Sequence, residues 1–320
     1  MLRLADHWVW DSWLAVDGDR YHLFFLRASR AVLEPERRHL RAGIGHAVST
    51  DLRSWELLPD ALVHADPPAW DDQAVWTGSV VLGPQQRWYL FYTGVGRAAG
   101  ASAQRIGVAV SDDLVAWRRT GTGPLLEADL RWYECLDARP WYSDAWRDPF
   151  VFRDPHGDGW HMLITARAAE GPSGGRGVVG HARTYDLLRW EIQPPLTAPA
   201  GFHHLEVPQV QIVDGRALLV FSCLPGETAR PHRAPHAGTW TVLGGSVADG
   251  WTVADGWDAA AAHPFAHPSL YGARLVADRD GGWYLLGFRH TEDGVFYGEI
   301  LDPIPVRLVR DRLVAGDAAA

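Results

Sequence analysis

Lysine is absent from this chain of 320 residues, and cysteine occurs only at Cys135 and Cys223. All 30 basic residues are therefore arginines, set against 39 acids for a formal net charge of −9. A nucleic-acid partner would want a basic face, and no block of positive charge supplies one. Two cysteines form neither a disulfide framework nor a metal set by spacing, so both are expected as ordinary buried thiols. No uninterrupted apolar run approaches the roughly 18 residues of a spanning helix, so no membrane partner is expected. The first ten residues lack a basic run followed by an apolar stretch of signal-peptide length, and the expectation is a cytoplasmic protein. His232, His236, His263 and His267 are scattered without metal-ligand spacing, and no twelve-residue calcium loop is present, so neither a metal nor another cofactor is expected. A long amphipathic helix is also missing; Ala259 to Ala262 is at most one helical turn, and Ala98 to Ala103 and Ala169 to Gly177 read as mobile loops.

What the chain has instead is repetition. A turn motif occurs three times, as Gly45-His46-Ala47-Val48-Ser49-Thr50-Asp51-Leu52-Arg53-Ser54-Trp55, as Gly107 to Trp117 and as Gly180 to Trp190. Each copy is an alternating strand, a polar turn, then Asp-Leu and a Trp that covers the turn, so Asp51, Asp113 and Asp186 are given structural roles. A second, β-rich run begins at Tyr21, Trp88, Trp160, Ala217 and Trp283, spacings of 57 to 72 residues. Such a period is too long for a hairpin and fits a unit of about four strands. The chain is therefore read as all-β, one five-bladed β-propeller over residues 1–320 with a central funnel.

Ten to twelve residues before each run lies another strand, whose content changes from blade to blade. These are Trp10-Asp11-Ser12, Trp76-Thr77-Gly78-Ser79, Arg147-Asp148-Pro149, Leu205-Glu206-Val207-Pro208 and Tyr271-Gly272-Ala273-Arg274. As the innermost strand of each blade, they would line one cavity and bring Asp11, Asp148 and Glu206 together. Mutual repulsion of three carboxylates raises at least one pKa, as a general acid near neutral pH requires, and glycosidic hydrolysis needs a proton donor plus a second carboxylate. The 17 tryptophans suit a protein that stacks on sugar rings, although most are expected to fill strands. Tyr271 on the fifth segment and His204 beside Glu206 join the candidates for binding a small carbohydrate. Glu134, Asp137 and Asp144, in the loop before Arg147, are candidates for the funnel rim.

Val9-Trp10-Asp11-Ser12-Trp13 resembles the nucleophile motif of the levansucrase-type enzymes, glycoside hydrolase family 68. Asp71 to Ser79 resembles the segment containing the Ser-Gly-Ser motif of family 32 and family 68, and Arg147-Asp148-Pro149 matches their shared Arg-Asp-Pro motif. The resemblance covers the length of the chain and implies a five-bladed propeller acting on β-fructofuranosides with retention, by hydrolysis or fructosyl transfer. It implies Asp11 as nucleophile, Glu206 as acid/base and Asp148 as the stabiliser gripping two fructosyl hydroxyls. Trp10, Trp76, Ser79 and Arg147 would shape the fructosyl pocket. The sequence departs from the pattern at Glu206, which stands in Leu-Glu-Val-Pro instead of Glu-Cys or Glu-Arg-Pro. No β-sandwich of the family 32 kind is expected after the fifth blade within these 320 residues. A family 43-like inverting arabinofuranosidase or xylosidase is the alternative within this architecture, and a non-catalytic sugar-binding propeller is the alternative from another class.

Overall fold

Each β-rich run becomes the second strand of an antiparallel sheet, because a near-continuous apolar and aromatic stretch suits a strand buried on both faces. The computed structural model describes residues 1–98, 103–135, 145–229 and 238–316. Blade I is formed by β1 (His7–Asp17), β2 (Arg20–Ser29), β3 (Gly43–Ser49) and β4 (Glu56–Leu62). Blade II comprises β5 (Ala74–Leu82), β6 (Trp88–Val95), β7 (Gln104–Ser111) and β8 (Arg118–Arg119). Blade III holds β9 (Trp146–Arg153), β10 (Trp160–Arg167), β11 (Gly177–Thr184) and β12 (Glu191–Gln193), and blade IV holds β13 (Glu206–Val213), β14 (Arg216–Cys223), β15 (Gly238–Ser246) and β16 (His263–Pro264). Blade V runs β17 (Leu270–Ala277), β18 (Trp283–Glu292), β20 (Ile304–Val309), β21 (Arg312–Ala315), with β19 (Val295–Ile300) paired to β18.

The three turn motifs do what their chemistry allows. Asp51 Oδ1 accepts from the backbone N–H groups of Arg53 and Ser54 at 2.8 and 2.7 Å, and Asp113 and Asp186 do the same for the two residues at the matching offsets. The following leucines, Leu52, Leu114 and Leu187, all take positive φ, between 62 and 65°. The carboxylate thus satisfies the donors that this tight reversal would orphan. Two of the tryptophans then tie neighbouring blades. Trp117 meets Phe24 of blade I edge-on at 5.7 Å, and Trp190 meets Phe91 of blade II at 5.6 Å, each phenylalanine standing at the fourth position of its run.

Among the described residues no strand is exchanged between the first and last blades, and side chains and one β-bridge close the ring. Leu2 and Ile300 exchange backbone hydrogen bonds of 2.9 and 3.0 Å, Trp8 packs edge-on to Phe296, and Arg30 donates to the Tyr297 carbonyl. Ala259–Ala261 forms one 3-10 turn capped by Asp258, as expected. The 169–177 segment, expected as a mobile loop, is tied down instead. Ala169 N donates to Trp132 O, Ala168 N to Arg176 O, and the buried Arg167 guanidinium to Ser173 O. Of the other expected loop, 99–102 lie outside the described residues.

Candidate active site

All five inner strands bulge at the same level. The register slips between Trp10 and Ser12, Trp76 and Gly78, Arg147 and Phe150, Glu206 and Gln209, and Tyr271 and Arg274. In four blades a residue inside the slip has positive φ: Asp11 at 30°, Asp148 at 58°, Val207 at 53° and Gly272 at 55°. A bulge resets the alternation of a strand and re-aims a side chain, and strained backbone of this kind gathers where a site over-determines it. Here five bulges form one ring around a cavity of about 500 Å³, lined among others by Trp10, Asp11, Trp76, Arg147, Asp148 and Glu206.

A circuit of hydrogen bonds fixes the ring. The Thr77 hydroxyl donates to Asp11 Oδ2, the Thr93 hydroxyl to Thr77 O, and Asp148 N to Thr93 Oγ1 at 2.9 Å. The Thr165 hydroxyl donates to Asp148 Oδ2 at 2.7 Å, as does Val207 N at 3.2 Å, and Gly272 N donates to Ser222 Oγ at 3.0 Å. Thr93, Thr165 and Ser222 each occupy the sixth position of their β-rich run, facing the bulge of the inner strand. That recurring hydroxyl is a signal present in the sequence that the spacing of acids alone does not reveal.

The carboxylates are not equivalent. Glu206 and Asp148 share Arg147, whose Nη2 lies 2.5 Å from Glu206 Oε1 and whose Nε lies 3.6 Å from Asp148 Oδ2. The Tyr271 hydroxyl also donates to Glu206, and burial together with that carboxylate keeps the phenol protonated. Asp11 receives the Thr77 hydroxyl instead. Burial, then the charges of Asp148 and Glu206, push its carboxyl up to about 7 against the opposing Thr77 bond and Arg274. Asp148 is also raised, chiefly by burial, with Arg147 pulling it back.

Gly272 completes this arrangement. A Cβ there would stand 2.6 Å from Asp11 Oδ1 and 3.0 Å from Phe288 Cε1, on a backbone at φ 55°. Gly272→Ala is expected to lower kcat/KM by about 10- to 100-fold by displacing the Asp11 carboxyl, with a stability loss of about 1 kcal/mol or more from the backbone alone. Steady-state kinetics and thermal melts of the variant check both.

A model of the "Glycosyl hydrolases family 32 N-terminal domain" matches residues 12–267. The chain belongs to glycosyl hydrolase family 32. Among curated relatives, fructan 1-exohydrolase w3 of Triticum aestivum is 29% identical over 190 residues, 58% of this chain and 27% of that protein. A β-fructofuranosidase (insoluble isoenzyme 5) of Oryza sativa subsp. japonica is 29% identical over 170 residues, 51% and 28% of the two chains. This family 32 chain thus spans just over a quarter of the length of those relatives. Its fold also matches solved structures. An inulosucrase from Halalkalicoccus jeotgali bound to kestose superposes with a TM-score of 0.77 at 24% identity, over 97% of this chain and 87% of that one. A levansucrase from Gluconacetobacter diazotrophicus gives 0.73 at 18% identity, over 99% and 82%.

Within this family 32 propeller, eight of the nine expected site residues line the funnel: Trp10, Asp11, Trp76, Arg147, Asp148, His204, Glu206 and Tyr271. Ser79 does not. It is buried, and its Oγ accepts from Val151 N at 2.9 Å in the seam between blades II and III, because the bulge at Thr77 turns Thr77 rather than Ser79 to the cavity. Glu134 is not on the rim either; it is buried against Arg167 Nε at 3.0 Å and Arg176. Asp137, Asp144, His232 and His236 lie outside the described residues.

Several lining residues come from places the motif spacing does not reach. The 3-10 segment Pro35–Arg41, between β2 and β3, contributes Glu36, Arg38, His39 and Leu40. Trp76 Nε1 holds this segment by donating to His39 O at 2.7 Å, and Gln73 by donating to Leu40 O. Burial and the nearby arginines push His39 down to about 3, and burial pushes His290 down to about 4, so both imidazoles are neutral at pH 7. His204, Glu206 and Glu227 are the one group among the described residues whose donor atoms cluster tightly enough for a cation. Their atoms serve the site's own bonds, Glu206 to Arg147 and Tyr271, and His204 Nδ1 to Glu227 at 3.1 Å.

Proposed function

We propose that this chain acts on β-fructofuranosides by retaining double displacement, through hydrolysis or fructosyl transfer. Asp11 attacks the anomeric carbon as Glu206 gives a proton to the departing oxygen. Glu206 then takes a proton from water or a sugar hydroxyl, which attacks the fructosyl-Asp11 ester and frees Asp11. Asp148, gripped by Thr165, Val207 N and Arg147, accepts hydrogen bonds from fructosyl hydroxyls without reacting. The observation that supports this most is the division of labour among the acids: two share an arginine, while the third, Asp11, receives the Thr77 hydroxyl at the funnel wall. An attacking carboxylate needs an accessible oxygen, and a stabiliser needs a fixed one.

Sucrose, short inulin- and levan-type oligosaccharides, an aryl arabinofuranoside and an aryl xyloside, each incubated with the purified protein, test the reading by chromatography of the released sugars. Free fructose or fructosyl oligomers are the expected products, and their ratio reports whether water or sugar reaches the intermediate first. Release of arabinose or xylose alone overturns the proposal in favour of an inverting glycosidase.

A further inference from the structure

Arg274 is a fully buried cation of the inner strands that the roles above leave unused. It is 2% exposed, on β17 just past the Gly272 bulge, and reaches across the bore of the propeller. Nη1 donates to Pro208 O of blade IV at 2.8 Å and Nη2 to Gly78 O of blade II at 3.3 Å. Its guanidinium carbon stands 5.2 Å from the centre of the Phe150 ring of blade III. Its charge acts on Asp11 of blade I and Asp148 of blade III, so one side chain addresses all five blades. The backbone on either side of it is fixed: Gly78 sits in the blade II bulge where a Cβ would stand 1.9 Å from Phe91 O, and Gln209 pins Leu275 on both backbone groups. Nε has no hydrogen-bond partner among the described residues. A plug for the bore would be served by an apolar side chain, since burying a guanidinium costs free energy that two carbonyl bonds only partly offset. The acids above it are what a cation at this depth answers.

We propose that Arg274 is a positioning residue, a buried cation closing the throat of the funnel that holds Asp11 in the ionised form able to attack. Around Asp11 stand Asp148 and Arg147 on β9, Glu206 on β13 with His204 just before it, Tyr271 and Arg274 on β17, Glu36, Arg38 and His39 on the 3-10 segment, His290 on β18, and Glu227 after β14. The acids oppose ionisation of Asp11, and Arg147 is committed to the other two acids. Arg274 favours it from below and keeps its charge at neutral pH, although burial brings it down to about 10. The inference rests on the fructoside reading for its catalytic meaning, but not for its measurement.

The test compares the pH dependence of the melting-temperature difference between Asp11→Asn and its Asp11 parent in three backgrounds: Arg274, Arg274→Gln and Arg274→Lys. That difference grows once pH passes the unfolded carboxylate's pKa and levels off when folded Asp11 ionises, so the pH at which it levels off reports the Asp11 titration without any substrate. Arg274→Gln is expected to move this levelling-off pH up by about one unit or more, and Arg274→Lys to leave it in place. With Asp11 intact, the acid limb of sucrose turnover should move by the same amount. An unmoved levelling-off pH in Arg274→Gln, or equal displacement in Gln and Lys, overturns the proposal. If Arg274→Gln does not fold, Arg274→Lys decides, a displaced levelling-off pH counting against the charge. A shift in Gln but not in Lys, in a protein that turns over no fructoside, sustains the role of Arg274 and overturns the fructoside reading alone.

Discussion

Asp11→Asn is expected to cut turnover of a fructoside by about 10⁴-fold or more and, at pH 8, to raise the melting temperature by several degrees. The first effect follows because an amide cannot form the glycosyl ester, and losses of this size are typical when a nucleophile is removed. The second follows from linkage. The Asp11 pKa is about 7 in the folded protein, against a usual value of 3.8. Below the lower value both states hold the proton and nothing is lost. As pH rises from about 4 to about 7 the unfolded chain releases its proton first, so stability falls, and above 7 the whole penalty stands. Its upper bound is on the order of 4 kcal/mol, reduced by water entering the funnel. Asn keeps the acceptor for Thr77 and escapes the penalty. The same titration sets the acid side of the activity profile: kcat/KM should fall about tenfold per unit below pH 7 as Asp11 is protonated. Melts and initial rates from pH 5 to 9 check both. A variant that is inactive but no more stable than its parent at pH 8 would remove the desolvation account of Asp11.

Arg147→Lys and Arg147→Gln carry the second large effect, with the opposite sign on stability. Arg147 is 12% exposed and serves Glu206, Asp148 and, at 3.3 Å, Gln104 Oε1. A lysine is a point charge that cannot hold two carboxylates in a planar fork, and glutamine leaves both without a counter-ion. Losing one partner of a buried ion pair costs about 3–5 kcal/mol, so Arg147→Gln should melt many degrees lower, with Arg147→Lys in between. Turnover should fall by about 10²- to 10⁴-fold, because Glu206 loses its orientation and Asp148 its grip on the sugar. The split between constants is informative. A loss mainly in kcat places Arg147 behind the proton transfer, whereas a loss mainly in KM restricts it to binding. Full activity in Arg147→Gln would contradict the joint role.

Much of the propeller was legible because its signals are local. The β-rich runs at a period of 57–72 residues and the Asp-Leu turn followed three residues later by Trp each depend on neighbours a few residues apart, and strands and turns respond to those neighbours. The inner-strand acids were legible for the same reason, as each precedes a run by a nearly constant interval. The sequence by itself thus determined five blades, their inner strands and the meeting of Asp11, Asp148 and Glu206.

Tertiary structure alone decided which side chains of those strands face the funnel. Every inner strand carries a bulge, which resets the two-residue alternation, so Thr77 enters the cavity and Ser79 holds a neighbouring blade. Glu134 turned inward because two arginines distant in sequence form its pocket. The lining from Pro35–Arg41 depends on Trp76 and Gln73 of another blade, and Arg274 reads as an ordinary strand residue until four other blades close around it. Each of these is a relation between residues far apart along the chain. A local pattern carries no information about them, since the energy that selects them exists only once the ring has closed.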